Sequence, residues 1–180
     1  MSFPDEPHLR RLQEALWNWP RSKAALMVGS GLSRNADQNP GGKQEFPTWS
    51  ELTASMEREL KPSSPAGTCD TLVGGTLRIA SEYSALFGES RLDQLIRHAI
   101  PDRFHSPSDI HRRLLDLPWT DVFTTNYDTL LERTEVPGRA YQPVVSPSQL
   151  CTAASPRIIK LHGCLSNQGP LIITEEHFRT

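Results

Sequence analysis

The stretch DVFTTNYDTLLER, Asp121–Arg133, decides the fold. It opens as a short apolar strand, passes through Thr124-Thr125-Asn126-Tyr127-Asp128, and continues in the helical pattern YDTLLER. A strand feeding a helix is the repeating unit of a layered α/β domain. An ordinary junction of that kind uses Gly or Pro. Helix capping explains part of the departure, since Asn126 suits an N-cap and Asp128 suits the positive first turn. Capping does not explain both threonines and the amide at the strand end. A ligand held there is the other reading.

Two further strands end in unusual residues. KAALMVGSG, residues 23–31, reads as a short buried strand entering a Gly-rich turn. RIIKLHG, residues 157–163, reads as a buried strand ending at His162-Gly163. RAYQPVV, 139–145, is a strand that Pro143 confines to a sheet edge, and PLIIT, 170–174, reads as a last strand before a helix beginning in EEHFRT. Between the first and second strands the pattern is helical. TWSELTASMEREL carries Thr48 as cap and Glu51 three residues on, a capping box, and stops before Pro62. Helices follow over 71–87, over 90–99 and around Ile110, Leu114 and Leu115, the last stopped by Pro118. An N-terminal helix over 8–19 has Leu9, Leu12, Leu16 and Trp19 at helical spacing and closes at Pro20. ADQNPGGKQEFP and KPSSPAGT are loops by composition. The expectation is one α/β domain over 1–180 with a mostly parallel sheet and a helical insertion at about 50–117.

The bulk numbers exclude several classes. With 180 residues, 37% apolar and 22% charged, the chain is an ordinary globular one. A net charge of −2 with 19 scattered Lys and Arg gives no footprint for direct nucleic-acid binding. Cys69, Cys151 and Cys164 are odd in number and outside CxxC spacing, which argues against a disulfide framework or a Cys-rich zinc site and fits a reducing cytoplasm. The N-terminus has acids ahead of its arginines and no apolar core, so it does not read as a signal peptide. No apolar run approaches the roughly 20 residues of a membrane span.

In an open parallel sheet, ligands sit at the carboxyl ends of the strands. If the three unusual ends are neighbours, they form one pocket. Gly29-Ser30-Gly31-Leu32-Ser33 would let backbone approach a phosphate, although Arg34 stands where a dinucleotide fingerprint needs a small residue. A tight turn with no ligand is the alternative there. A GxSxG elbow fails, because Val28 precedes Ser30 by two. His162 at a strand end suits proton transfer near neutrality, and a satisfied structural histidine is its alternative. Cys164 beside it gives no nucleophile pair, since spacing on a strand does not bring the two together.

GSGLS, TTNYD and KLHG, in this order, resemble the sirtuin superfamily, and more closely the sirtuin-like domains of bacterial antiphage defence proteins. GSGLS is similar to that group's GAGxS loop, TTNYD to its TQNxD, and KLHG to its catalytic His-Gly strand; FPTWSEL, 46–52, is similar to a Pro-x-Trp-x-x-Leu of the bacterial branch. The resemblance implies a Rossmann-like fold, Asn126 and His162 as catalytic residues, and NAD contacts at Gly29, Ser30, Gly31, Ser33, Thr124 and Asp128. It implies NAD as substrate, no metal, cytoplasmic location, and a homo-oligomer or larger defence complex. The implied activity is NAD hydrolysis to nicotinamide and ADP-ribose. The alternatives are an NAD-dependent deacylase or ADP-ribosyltransferase, or a module that senses NAD or ADP-ribose without turnover. Two features of deacylating relatives are missing: the paired CxxC zinc ligands after His-Gly, and the GIPDFR segment. The family's later strands are also expected to be absent, leaving the domain incomplete at its C-terminus and inactive in isolation.

Overall fold

The computed structural model describes residues 3–17, 23–61, 75–167 and 169–179. They fall into two compact units: Met1–Gly42 with Asp102–Asn167, and Lys43–Pro101 with Gln168–Thr180.

The first unit holds a four-stranded sheet. In chain order its elements are α1 (Glu6–Leu16), β1 (Ala25–Val28), the single turn α2 (Ser30–Ser33) and β2 (Asp37–Gln38). After the second unit's helices come β3 (His105–Ser106), α6 (Asp109–Asp116), β4 (Asp121–Thr124), β5 (Gln142–Val144), α7 (Pro147–Leu150) and β6 (Arg157–Lys160). The sheet order is β1-β4-β6-β5, and every pair in it is parallel. Register aligns Val28 with Thr124 and Thr124 with Lys160, so β1, β4 and β6 end level with one another. The mostly parallel α/β sheet is as the sequence implies, with the helical segment between β1 and β4.

Val122, Ile158, Leu115, Leu131, Trp119, Leu16 and Ala24 form the core of this unit. Burial of each large aliphatic among them stabilises by roughly 1.5–3 kcal/mol. Strand order decides which strands are buried. β4 and β6 alternate between buried and half-buried residues, whereas β1 lies on the sheet edge, with Met27 58% exposed. The expected buried first strand is thus an edge strand. β5 takes the other edge, where Pro143 is tolerated. In α1 only Leu16 is buried, while Leu9 and Leu12 face solvent; Trp19 and Pro20 lie outside the described residues.

The largest local departure is YDTLLER, which forms no regular helix. Asp128 Oδ1 accepts from Leu130 N at 3.2 Å, and Asp102 Oδ1 accepts from Thr129 N at 2.9 Å. Side chains thus satisfy the first N–H groups, and the backbone keeps Arg133 N to Thr129 O at 3.0 Å and Thr134 N to Leu131 O at 3.1 Å. Arg133 completes the turn by reaching the carbonyls of His105 and Asp102 at 2.8 and 3.0 Å. β2 and β3, an antiparallel pair of two residues each, are too short to leave a periodic signal.

The second unit contains α3 (Trp49–Leu60), α4 (Thr76–Phe87) and α5 (Glu89–Ala99). The capping box at Thr48 and Glu51 is formed in both directions. Leu52, Met56, Ile79, Ala80, Tyr83, Leu92 and Ile96 are buried in this unit. Gly88, at φ +87°, ends α4 and starts α5, a conformation that a side chain would strain. Residues 62–68 of the loop expected at 61–68, the first residues of the helix expected at 71–87, and Cys69 lie outside the described residues. PLIIT forms no strand: Leu171 and Ile173 are buried as irregular chain, followed by a 3-10 turn at Glu176–Phe178.

Candidate functional site

The level ends of β1, β4 and β6 bring three segments together. β1 ends at Val28, Gly29 follows in extended conformation, and α2 starts at Ser30. β4 ends at Thr124, which is fully buried. Its hydroxyl accepts from Asn126 N at 3.0 Å and turns the chain across the sheet end. β6 ends at Lys160, and Gly163, at φ +87°, reverses the chain directly after His162.

Asn126 joins the first two segments. Its Nδ2 donates to the carbonyl of Gly29 at 2.9 Å and to Ser33 Oγ at 2.8 Å. A backbone carbonyl only accepts, so this pairing settles which end of the amide faces β1. Both N–H bonds are committed, and Oδ1 is left as the amide's polar atom for other work. Ser33 Oγ in turn donates to Asp128 Oδ2 at 2.6 Å. Asp128 therefore spends one oxygen on Ser33 and the other on Leu130 N. Asn126, Ser33 and Asp128 are all buried.

His162 is half-buried, its ring 6.2 Å from that of Tyr127 at an interplanar angle of 39°. Burial lowers its pKa below the ordinary 6.5. Burial also raises that of Tyr127 well above the ordinary 10. The imidazole is neutral at pH 7 and able to take a proton, while the phenol keeps its own.

All eight residues singled out from the sequence lie at these three strand ends. Asn126, Ser33, Asp128, Gly29 and Thr124 are joined by hydrogen bonds. Ser30 and Gly31 lie on α2, and His162 beside Tyr127. Several supporting residues carried no periodic signal. Lys160 Nζ donates to the carbonyl of Asp128 and pairs with Glu132 Oε1 at 3.0 Å, its side chain 1% exposed. Cys164 Sγ contacts Glu132 Oε1 at 3.4 Å. His111 is fully buried on α6; Nδ1 accepts from Ser108 N at 3.2 Å, and Nε2 has no hydrogen-bond partner among the described residues. A lysine inside the apolar run RIIKL was the one visible sign of this support. Among the described residues no three His, Cys, Asp or Glu side chains converge as a metal site.

The comparisons with known proteins fall on this ground. Residues 120–180, which carry β4, the Asn126 turn, β6 and His162, match the family described as SIR2-like domain. Residues 120–180 are thus SIR2-like. Over 179 residues the chain is 27% identical to the NAD(+) hydrolase ThsA of Enterococcus faecium, a match covering 94% of the chain. It spans 33% of that relative's length. Among the described residues no helix is long and apolar enough to cross a membrane.

Proposed function

We propose that the first unit is the NAD-binding part of an NAD hydrolase, converting NAD and water to nicotinamide and ADP-ribose. The observation that carries this reading is the bonded set Gly29, Ser33, Asn126 and Asp128 at strand ends level with the one that leads to His162. The glycines support it. Neither Gly29 nor Gly31 has positive φ. A Cβ on Gly29 would come no nearer than 4.0 Å to Thr125 Oγ1, and one on Gly31 would meet nothing within 4 Å. The fold does not require glycine at either position, so what glycine supplies is room for backbone to approach a ligand.

The leaving group of NAD is already a cationic pyridinium. The bond between ribose C1′ and the nicotinamide nitrogen breaks with its electron pair going to that nitrogen. Water supplies the new C1′–O bond. Asn126 Oδ1, its amide fixed by Gly29 and Ser33, is placed to accept from a ribose hydroxyl or from the attacking water. Neutral His162 takes the proton that water or a ribose hydroxyl releases. Asp128 acts through Ser33, holding Asn126 in orientation. Together with the resemblance to defence-associated domains, this reading makes NAD depletion during phage infection the role of the complete protein.

The test is direct. Purified protein is incubated with NAD, and nicotinamide and ADP-ribose are followed by chromatography. Equimolar release that disappears in His162→Ala supports the reading. Binding of NAD with no nicotinamide formed under any assembly condition rejects hydrolysis and favours a sensing module.

A further inference from the structure

We propose that Lys160 is a positioning residue that sets Asn126 against His162, with Glu132 as its anchor. The inference rests on the NAD-cleavage reading above. Lys160 is the last residue of β6, two before His162. Its side chain is buried and reaches across to the carbonyl of Asp128, two residues after Asn126. A lysine in an apolar strand gives up its hydration, and the Glu132 carboxylate, 3.0 Å from Nζ, compensates. Two backbone bonds run beside it: Leu161 N to Thr124 O at 2.8 Å and Leu165 N to Tyr127 O at 2.8 Å. The segment carrying His162 is thereby fastened to the one carrying Asn126 by backbone bonds and by the Lys160 side chain.

Position, not charge, is how Lys160 acts. Burial is the cause of the lowered His162 pKa. The ammonium is turned to Asp128 O and Glu132 instead. Bonding to the backbone carbonyl ties the loop itself, where a displacement of about 1 Å can cost on the order of 100-fold in rate.

The experiment compares the full chain with the double variant Lys160→Met/Glu132→Leu. Replacing a buried pair by apolar side chains of similar volume is often neutral for stability, so this variant separates packing from positioning. NAD hydrolysis, thermal unfolding and amide exchange are measured on both. The expected result is a wild-type melting temperature, KM nearly unchanged, kcat lower by roughly 10- to 100-fold, and an unshifted midpoint in the pH profile. A double variant with wild-type stability and wild-type kcat overturns the proposal. Amide exchange reads the geometry without any turnover. The amides of Asn126, Leu161 and Leu165 should exchange roughly five- to tenfold faster in the double variant, with β4 and β6 unchanged. Unchanged exchange overturns the proposal even if the wild-type protein cleaves no NAD, an outcome that by itself rejects the functional reading. If the double variant does not fold, Glu132→Gln carries the test. It keeps the shape and an acceptor for Nζ but removes the anchoring charge. A kcat several-fold lower at constant KM is expected, and a wild-type kcat overturns the proposal.

Discussion

The side-chain amide of Asn126 donates to the carbonyl of Gly29 at 2.9 Å, tying the end of β4 to the end of β1. The bond spans 97 residues of sequence, including the whole helical segment of the second unit. It makes Asn126 both a structural link and a polar group of the candidate site held in a fixed orientation. Replacing it therefore has two separable consequences. Asn126→Ala removes the amide and should lose at least ~100-fold in NAD cleavage. Asn126→Asp keeps the shape but turns a carboxylate oxygen onto the Gly29 carbonyl, so it should also lower the melting temperature. Turnover assays and thermal unfolding of both variants check this. A folded Asn126→Ala protein with undiminished nicotinamide release would refute the assignment.

Ser33→Ala tests the next link in the network. Ser33 Oγ accepts from Asn126 and donates to Asp128. Alanine would leave Asp128 Oδ2 buried without its 2.6 Å partner, a loss of about 1–3 kcal/mol. Urea unfolding should show that loss, together with reduced kcat from a less constrained Asn126. A variant as stable as the wild type would mean that solvent or a shifted side chain replaces Ser33.

Thr48→Ala isolates the helical unit. Thr48 Oγ1 accepts from Glu51 N at 3.2 Å, and Glu51 Oε2 accepts from Thr48 N at 2.6 Å. Loss of such a cap costs about 0.5–2 kcal/mol. The expected outcome is a lower unfolding midpoint with NAD contacts in the first unit unaltered, read by calorimetry and by binding of ADP-ribose. An unchanged midpoint would show that the start of α3 is held by other contacts.

What was legible in the sequence follows from the range of each interaction. The capping box at Thr48 depends on residues three apart, so it could be read directly. The strand ends were legible because TTNYD and KLHG put an amide, a carboxylate and an imidazole where an ordinary turn uses Gly or Pro. The edge position of β1 was not legible, since an apolar run of four residues does not say how many neighbours it has. The expected helix over YDTLLER failed for the same reason. Its periodicity is sound, but Asp102, distant in sequence, takes the Thr129 N–H and bends the segment into turns. Lys160 stands within KLHG, yet its partners, the Asp128 carbonyl and Glu132, are about 30 residues away in sequence and leave no local pattern.

His111→Gln should reduce acid sensitivity. Burial, the largest influence, lowers the His111 pKa below 6.5, against the raising effect of Asp128 and Asp37. The unfolded chain then binds a proton more readily than the folded one. Stability from this group is fully present above pH 6.5 and is lost as pH falls through the lower folded pKa. Glutamine at this position can retain the Ser108 capping box without titrating. Melting temperatures of the two proteins should therefore diverge below pH 6.5, with the variant falling less steeply. Parallel curves would show that His111 does not titrate differently on folding.

The pH profile of NAD cleavage tests His162 in the same window, with a different readout. A general base must be neutral before it can accept a proton. Burial holds the His162 pKa below 6.5, so the neutral form dominates at pH 7 and kcat should be level there. As pH falls, protonation removes the base, and kcat should drop tenfold per pH unit below a midpoint under 6.5. Tyr127 does not titrate in this range, because burial pushes its phenol far above the ordinary value. Its ring lies 6.2 Å, centroid to centroid, from that of His162. Tyr127→Ala should readmit water and move the midpoint up toward 6.5, because desolvation is the cause of the shift. Tyr127→Phe keeps the ring and should leave the midpoint where it is. Measuring log kcat against pH for the three proteins separates the possibilities. A wild-type midpoint at or above 6.5, or one that does not move in Tyr127→Ala, would show that a group other than a desolvated His162 carries the proton.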